Sequence, residues 1–207
     1  MKLKKKAKRI IILILLIVLL VGGYFAYTIF IKPPVIKEAK VISEVEKYGY
    51  QLKDNKTKRY KDMFAELKEI LSKDDVDEEE YVKKISEMFI YDFYSLNDKT
   101  AKTDVGGVDF VYDEIVENFL QNAQSTYYKY IENNIYNNRK QSLPVVGDIN
   151  IESAEQEEFA YGEKTDDKAF KVKVTWSYTD TQFSNYQREA ELVFIHDDIK
   201  LCLVELQ

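Results

Sequence analysis

The sequence predicts an α+β protein carried behind one N-terminal transmembrane helix, and three changes of hydrophobic pattern make the prediction. Residues Ile10–Ile31 contain no charge. Between Thr57 and Asn138 the apolar residues recur at helical spacing. Past Pro144 the period falls to two. The order is therefore a membrane helix, about three further helices, and a four-stranded antiparallel sheet.

The uncharged run is 22 residues long. As a helix it would extend roughly 33 Å, against a hydrocarbon core of roughly 30 Å. Lys2, Lys4, Lys5, Lys6, Lys8 and Arg9 precede it with no acid among them. Tyr24 and Tyr27 fall in its last third, where aromatic rings favour the interface. Basic residues on one short flank set orientation, so residues 1–9 read as a cytoplasmic tip and everything after Lys32 as lying outside the plasma membrane. A cleaved signal peptide is the competing reading, with Val21-Gly22-Gly23 as its cleavage site. Its apolar core would be about 7 to 15 residues, and here the run continues through Phe25 and Phe30.

Removing residues 1–31 takes away six positive charges, so the formal charge of −6 becomes −12 for residues 32–207, with 24 basic against 36 acidic side chains. Phosphate backbones repel such a domain, and nucleic acid is not expected as a partner. The one cysteine, Cys202, forbids an internal disulfide; an exported domain without a staple points to bacteria that do not rely on disulfides.

Lys32-Pro33-Pro34 ends the membrane helix, because proline cannot continue it. Residues 32–56 read as a stalk or linker, broken at Tyr48-Gly49-Tyr50 and Asp54-Asn55, and residues 57–207 as the folded domain. Tyr60, Met63, Phe64, Leu67, Ile70 and Leu71 mark a first domain helix, closed by Asp74-Asp75. Asp77 opens a second with Glu80 three residues on, a capping-box spacing. Val82, Ile85, Phe89, Phe93 and Leu96 line one face of it; Met88 and Ile90 widen the stripe, which predicts burial around much of its circumference. Asn97–Gly107 is a loop. Phe110, Val111, Ile115, Phe119 and Leu120 begin a third helix that the spacing carries on through Ala123, Tyr127, Ile131 and Ile135 to Asn137-Asn138, with room for a bend between Gln121 and Ser125.

Ile149 and Ile151 open the first strand, which runs with room for a bulge to Tyr161, and Glu163–Asp167 is its turn. In the second, Phe170, Val172, Val174, Trp176 and Tyr178 alternate with Lys171, Lys173, Thr175, Ser177 and Thr179: one face buried, one wet. Ala190, Leu192 and Phe194 form the third, and Asp197-Asp198 a tight turn. The last strand is apolar on both faces, with Leu201 and Leu203 on one and Cys202, Val204 and Leu206 on the other, so it is central or covered.

No catalytic, cofactor-binding or metal-binding constellation emerges, and no cofactor is expected. His196 is the only histidine and sits beside a turn. With one histidine and one cysteine a zinc site lacks ligands. A Cys202/His196 pair would have to form across the last hairpin. Asp74, Asp75, Asp77, Glu78, Glu79 and Glu80 lack the spaced oxygens and glycine of a calcium loop and suit a helix start. Gly106-Gly107 has neither the further glycines nor the Lys-Ser/Thr of a phosphate loop. Tyr91, Tyr94, Tyr127, Tyr128, Tyr130 and Tyr136 would line a sugar or peptide groove if the fold gathered them; otherwise they fill the edge of the core.

The element order across residues 57–207 resembles the NTF2-like group, in which a curved antiparallel sheet wraps a long helix into a cone. With its single membrane helix it is similar to the VirB8 and TcpC components of conjugation machines. Tyr48-Gly49-Tyr50-x-Leu52, Asp92-Phe93-Tyr94-Ser95-Leu96, Asp104-Val105-Gly106-Gly107 and Val174-x-Trp176-x-Tyr178 resemble strings in single-pass proteins of Gram-positive bacteria. The resemblance carries no catalytic residue. It implies a membrane-anchored, non-enzymatic scaffold of the cell envelope that binds protein partners, as part of a conjugation or secretion machine. The alternative is a small-molecule binder or enzyme using the cone pocket.

Overall fold

The computed structural model describes residues 5–27 and 39–207, with side chains from Ile12 onward. Two compact units emerge, Met1–Lys37 and Glu38–Gln207. In the first, helix α1 (Lys5–Ala26) starts within the basic tip, because lysine is itself a good helix former. Its apolar side chains from Ile12 to Tyr27 are 50–73% exposed. Among the described residues no helix is long and apolar enough to cross a membrane. The expected span Ile10–Ile31 overruns that set: Thr28–Ile31, the Lys32-Pro33-Pro34 stop and the linker up to Glu38 lie outside the described residues.

The second unit begins earlier than expected. Residues 39–56, read above as linker, contain a hairpin of β1 (Val41–Val45) and β2 (Tyr50–Lys53). Gly49, with φ of 71°, closes the turn. The correction has a plain cause: Tyr48, Tyr50 and Leu52 recur with period two and are all buried.

Helix α2 (Lys58–Leu71) is capped by Thr57, whose Oγ1 accepts the Tyr60 N–H at 3.2 Å. It buries Tyr60, Met63, Phe64, Leu67 and Leu71, with Ile70 half-buried. Helix α3 (Glu78–Tyr94) is capped by Asp77, which accepts the N–H groups of Glu79 and Glu80 at 2.9 and 3.1 Å. The Glu80 carboxylate does not return the contact and pairs with Lys73 at 2.7 Å. Val82, Ile85, Met88, Phe89 and Ile90 are all fully buried, the wide burial the stripe predicts.

The third helix is much shorter than its spacing suggests. After Gly107 two short 3-10 turns (Val108–Phe110 and Asp113–Ile115) precede α4, which spans only Val116–Ser125. At its start the chain is diverted to the sheet: the Tyr112 N–H donates to the Leu203 carbonyl at 2.9 Å. At its end the Thr126 and Ser125 hydroxyls both donate to the Asn122 carbonyl, at 2.7 and 3.0 Å, and compete with the next helical turn. Residues 126–145 then run as turns and irregular chain.

Strands β3 (Val146–Tyr161), β4 (Lys164–Tyr178), β5 (Glu189–Asp197) and β6 (Lys200–Leu206) form one antiparallel sheet in that spatial order. The β3–β4 pairing shifts register three times, the bulges for which the long strand left room. Gly162 takes φ of 57°, so Gly162-Glu163 turns the chain and β4 resumes at Lys164, tighter than the expected Glu163–Asp167. The last turn is Asp198-Ile199, one residue later than expected. One sheet face, with Phe170, Val172, Val174, Trp176, Leu192 and Phe194, packs with the helices in the main core. The other buries Tyr112, Ala169, Ile195 and Cys202 in a second cluster. Strand β6 closes the sheet order, and the Val111–Leu203 bridge covers its edge.

Candidate functional site

The four strings that carry the resemblance meet in one core. Asp92, near the C-terminal end of α3, is 4% exposed and stands at the centre. Its Oδ1 takes Lys99 Nζ at 2.9 Å, and its Oδ2 takes Lys56 Nζ at 2.7 Å and the Gly107 N–H at 2.8 Å. Burial pushes the Asp92 carboxyl up, but the Lys99 and Lys56 ammonium groups and the Gly107 N–H outweigh it and hold it at about 2. Lys99, itself 4% exposed, is pushed down by burial and further up by Asp92 and Asp98. The glycines are needed for contact: a Cβ on Gly106 would lie 2.0 Å from the Asp92 carbonyl oxygen, and Gly107 has φ of 76°. The Asp92 and Lys99 side chains are 5% and 4% exposed, and Lys56, at 19%, closes the cluster from outside. The cluster fastens the 97–107 loop and the start of α2 to α3.

His196 is the second cluster. Its ring Nδ1 lies 2.8 Å from Asp166 Oδ2, and its Nε2 lies 3.4 Å from Glu78 Oε1 at the start of α3. The His196 N–H also donates to Asp166 Oδ2, at 2.7 Å. Burial pushes the Asp166 carboxyl up, and the N–H groups of His196 and Lys168 more than offset it. Both ring nitrogens thus face carboxylates, one on β4 and one on α3, and the ring links the sheet to the helix layer. Sequence reading placed His196 beside Asp197 and could not see Asp166, thirty residues away. Cys202 does not join it. Cys202 pairs with Ile195 rather than His196, so the two side chains take opposite faces. Burial pushes the Cys202 thiol up to about 11, which keeps it protonated and unreactive at neutral pH.

The six tyrosines do not form one groove. Tyr128 is fully buried and its hydroxyl donates to the Phe93 carbonyl at 2.6 Å. Tyr94 packs on Trp176 with ring centroids 4.4 Å apart, and the Tyr127 and Tyr178 hydroxyls meet at 3.1 Å. The Tyr91 hydroxyl meets Thr57 Oγ1 at 3.0 Å. Tyr130 and Tyr136 are instead 75% and 64% exposed, on the 126–145 loop. Trp176 is 5% exposed, so it is a core residue.

One buried contact escaped the sequence altogether. The Tyr50 and Tyr81 hydroxyls lie 2.7 Å apart; Tyr81 accepts the Leu201 N–H at 3.2 Å and Tyr50 donates to the Leu201 carbonyl at 3.4 Å. The pair joins β2, α3 and β6. Its signal was the 48, 50, 52 alternation inside the supposed linker.

Among the described residues no group of three or more His, Cys, Asp or Glu side chains is placed to hold a metal ion, and the acidic run 74–80 serves as the start of α3. A cavity of about 430 Å³ lies between α4 and β6, lined by Phe93, Phe119, Asn118, Asn122, Val204 and Leu206. Set against known proteins, the chain stands apart: no protein-family model matches it, and no curated protein or solved structure matches it either.

Proposed function

We propose that this chain is a single-pass envelope protein, N-terminus cytoplasmic, whose outer unit is an NTF2-like module that binds protein partners as a scaffold. The observation that carries the reading is a filled interior. Where a cone-shaped binder or enzyme would keep a polar pocket, Phe89, Val172, Val174, Trp176, Leu192 and Phe194 pack against one another. A four-stranded antiparallel sheet with α3 packed against it, and α2 packed on α3, supports the NTF2-like likeness. The anchor reading is supported by α1, whose apolar side chains from Ile12 to Val21 are 52–73% exposed, and by the lysines at its start. A place among conjugation or secretion components follows from the resemblance in element order, and a crosslinking pull-down from intact membranes would identify the partner.

Orientation is tested first. Ser184 is exposed, and Cys202 is buried with its thiol protonated, so Ser184→Cys needs no second change. A membrane-impermeant thiol reagent on whole cells is expected to label it. Labelling only after lysis overturns the reading. The cavity between α4 and β6 favours a small-molecule reading in second place, because its lining combines two carboxamides, Asn118 and Asn122, with the rings of Phe93 and Phe119. Asn118→Leu or Asn122→Leu would abolish binding of such a ligand and leave partner crosslinking intact.

A further inference from the structure

Charge is sorted from one end of the 38–207 unit to the other. Lys40 and Asp54 bond through their backbones (Asp54 N–H to Lys40 O, 2.9 Å). Lys56 and Lys99 share Asp92, and Arg139 donates to the carbonyls of Lys99 and Asn97, both at 2.8 Å. These contacts gather the start of β1, the approach to α2, the 97–104 loop and the 126–145 loop at one end of the unit. Residues 53–62 hold five basic against two acidic side chains, and residues 129–140 three against one. At the other end of α3, residues 74–80 hold six acids and no base, and His196 ties Asp197-Asp198 close to them through Glu78.

The basic end is open. Lys53, Lys58, Lys129 and Lys140 are exposed and have no ion-pair partner among the described residues. Beside them stand exposed apolar and aromatic side chains, Val41 at 45%, Ile42 at 54%, Tyr136 at 64% and Tyr130 at 75%, the last with the Lys129 ammonium 5.1 Å from its ring centroid. The loop that carries the tyrosines is held in place. Gln141 donates to the Tyr130 carbonyl and accepts the Glu132 N–H, both at 2.9 Å, and the Asn134 N–H reaches the Thr100 carbonyl at 2.7 Å. A long irregular loop kept ordered, with aromatics outward, is uncommon without a function.

We propose that this end docks on an anionic phospholipid surface, with the lysines on headgroups and the exposed Tyr and Ile side chains in the interfacial layer. Lysines attract negative headgroups, and tyrosine rings suit the boundary between headgroup and acyl chain. A unit with a formal charge of −12 over residues 32–207 would otherwise be repelled by that surface; sorting the charge turns repulsion into orientation. The inference rests on the anchor reading only for which membrane is met.

The test uses the full chain carrying Asn138→Cys with an environment-sensitive fluorophore, in vesicles that contain a headgroup-linked nitroxide lipid. Quenching is expected to rise about twofold when phosphatidylglycerol replaces part of the phosphatidylcholine, and to fall back at ~1 M salt. The same label at Asp198→Cys, at the acidic end, stays bright in both. Lys53→Glu/Lys58→Glu/Lys140→Glu removes the rise. Equal quenching in the two vesicle types, or stronger quenching at Asp198→Cys, overturns docking. Loss of the rise on adding inorganic phosphate at constant ionic strength also overturns it, in favour of a free-phosphate site. Failure of the anchor shows separately, as a chain that does not float with phosphatidylcholine vesicles; quenching at Asn138→Cys with phosphatidylglycerol still decides docking in that case.

Discussion

Helix α3 has an ionic cluster at each end, and the two are built on opposite terms. Asp92 lies near the C-terminal end, where the helix dipole disfavours an anion, and it is buried. It stays charged only because two ammonium groups and an N–H surround it. Glu78 begins the N-terminal end, where the dipole favours an anion, and its side chain is 49% exposed beside a His196 that is 23% exposed. Both partners of the second cluster are open to water; in the first only the outer lysine, Lys56, is, at 19%. The contrast teaches that a count of ion pairs says little about this molecule, and that the depth of each decides its weight.

Breaking the deep cluster should cost most. Asp92→Ala leaves the buried Lys99 with only Asp98, at 3.2 Å, and strips Lys56 of its partner; the loss expected is about 3–5 kcal/mol in urea unfolding of the full chain in micelles. A loss below about 1 kcal/mol would mean that Lys99 escapes to water and the cluster is not sealed. The pH dependence has a definite sign. Asp92 is depressed to about 2, so it stabilises the fold above its unfolded pKa near 4 and loses that contribution as pH falls towards 2. The swing is about 2 kcal/mol, and Asp92→Asn should flatten the curve in that window.

Trp176→Ala sharpens the same comparison, because Trp176 packs on Tyr94 at the buried end of α3. Emptying that site should cost about 3–5 kcal/mol. The parent fluorescence should be blue-shifted and poorly quenched by iodide; a red-shifted, quenchable parent whose variant stays stable would favour an open pocket. At the exposed end His196→Ala should cost no more than about 1 kcal/mol. A loss there as large as that of Asp92→Ala would erase the distinction between the two ends.

Much of the fold was legible, for reasons that differ by element. Helix α2 and helix α3 announced themselves through spacing and through Thr57 and Asp77 at their starts. Strand β4 did so through strict alternation around Trp176. The third helix misled because Tyr127, Ile131 and Ile135 keep helical spacing by chance, while Thr126 and Ser125 take the Asn122 carbonyl, a local competition that periodicity does not weigh. Residues 41–53 were read as linker because Tyr48-Gly49-Tyr50 looked like a break; Gly49 is a break, but one between two paired strands. The clusters themselves were out of reach. Asp92 meets Gly107 across fifteen residues and His196 meets Asp166 across thirty, and only the packed sheet and helices bring them together.

The tyrosine contact between β2 and β6 bears on the order in which the chain can finish folding. Tyr50 and Leu201 are 151 residues apart, and the Leu201 N–H and carbonyl both end on the tyrosine pair. A chain made from its N-terminus exposes the β1–β2 hairpin early, while the strand that holds Leu201 is made 151 residues after Tyr50. Closing so long a loop is slow compared with pairing β3 to β4, which a two-residue turn joins. The hairpin is thus a latch whose catch arrives much later. A chain ending at Lys200 should be cut by trypsin at Lys53 and Lys56 while the β3–β4 hairpin resists; equal resistance at both places would show that the latch closes without its catch.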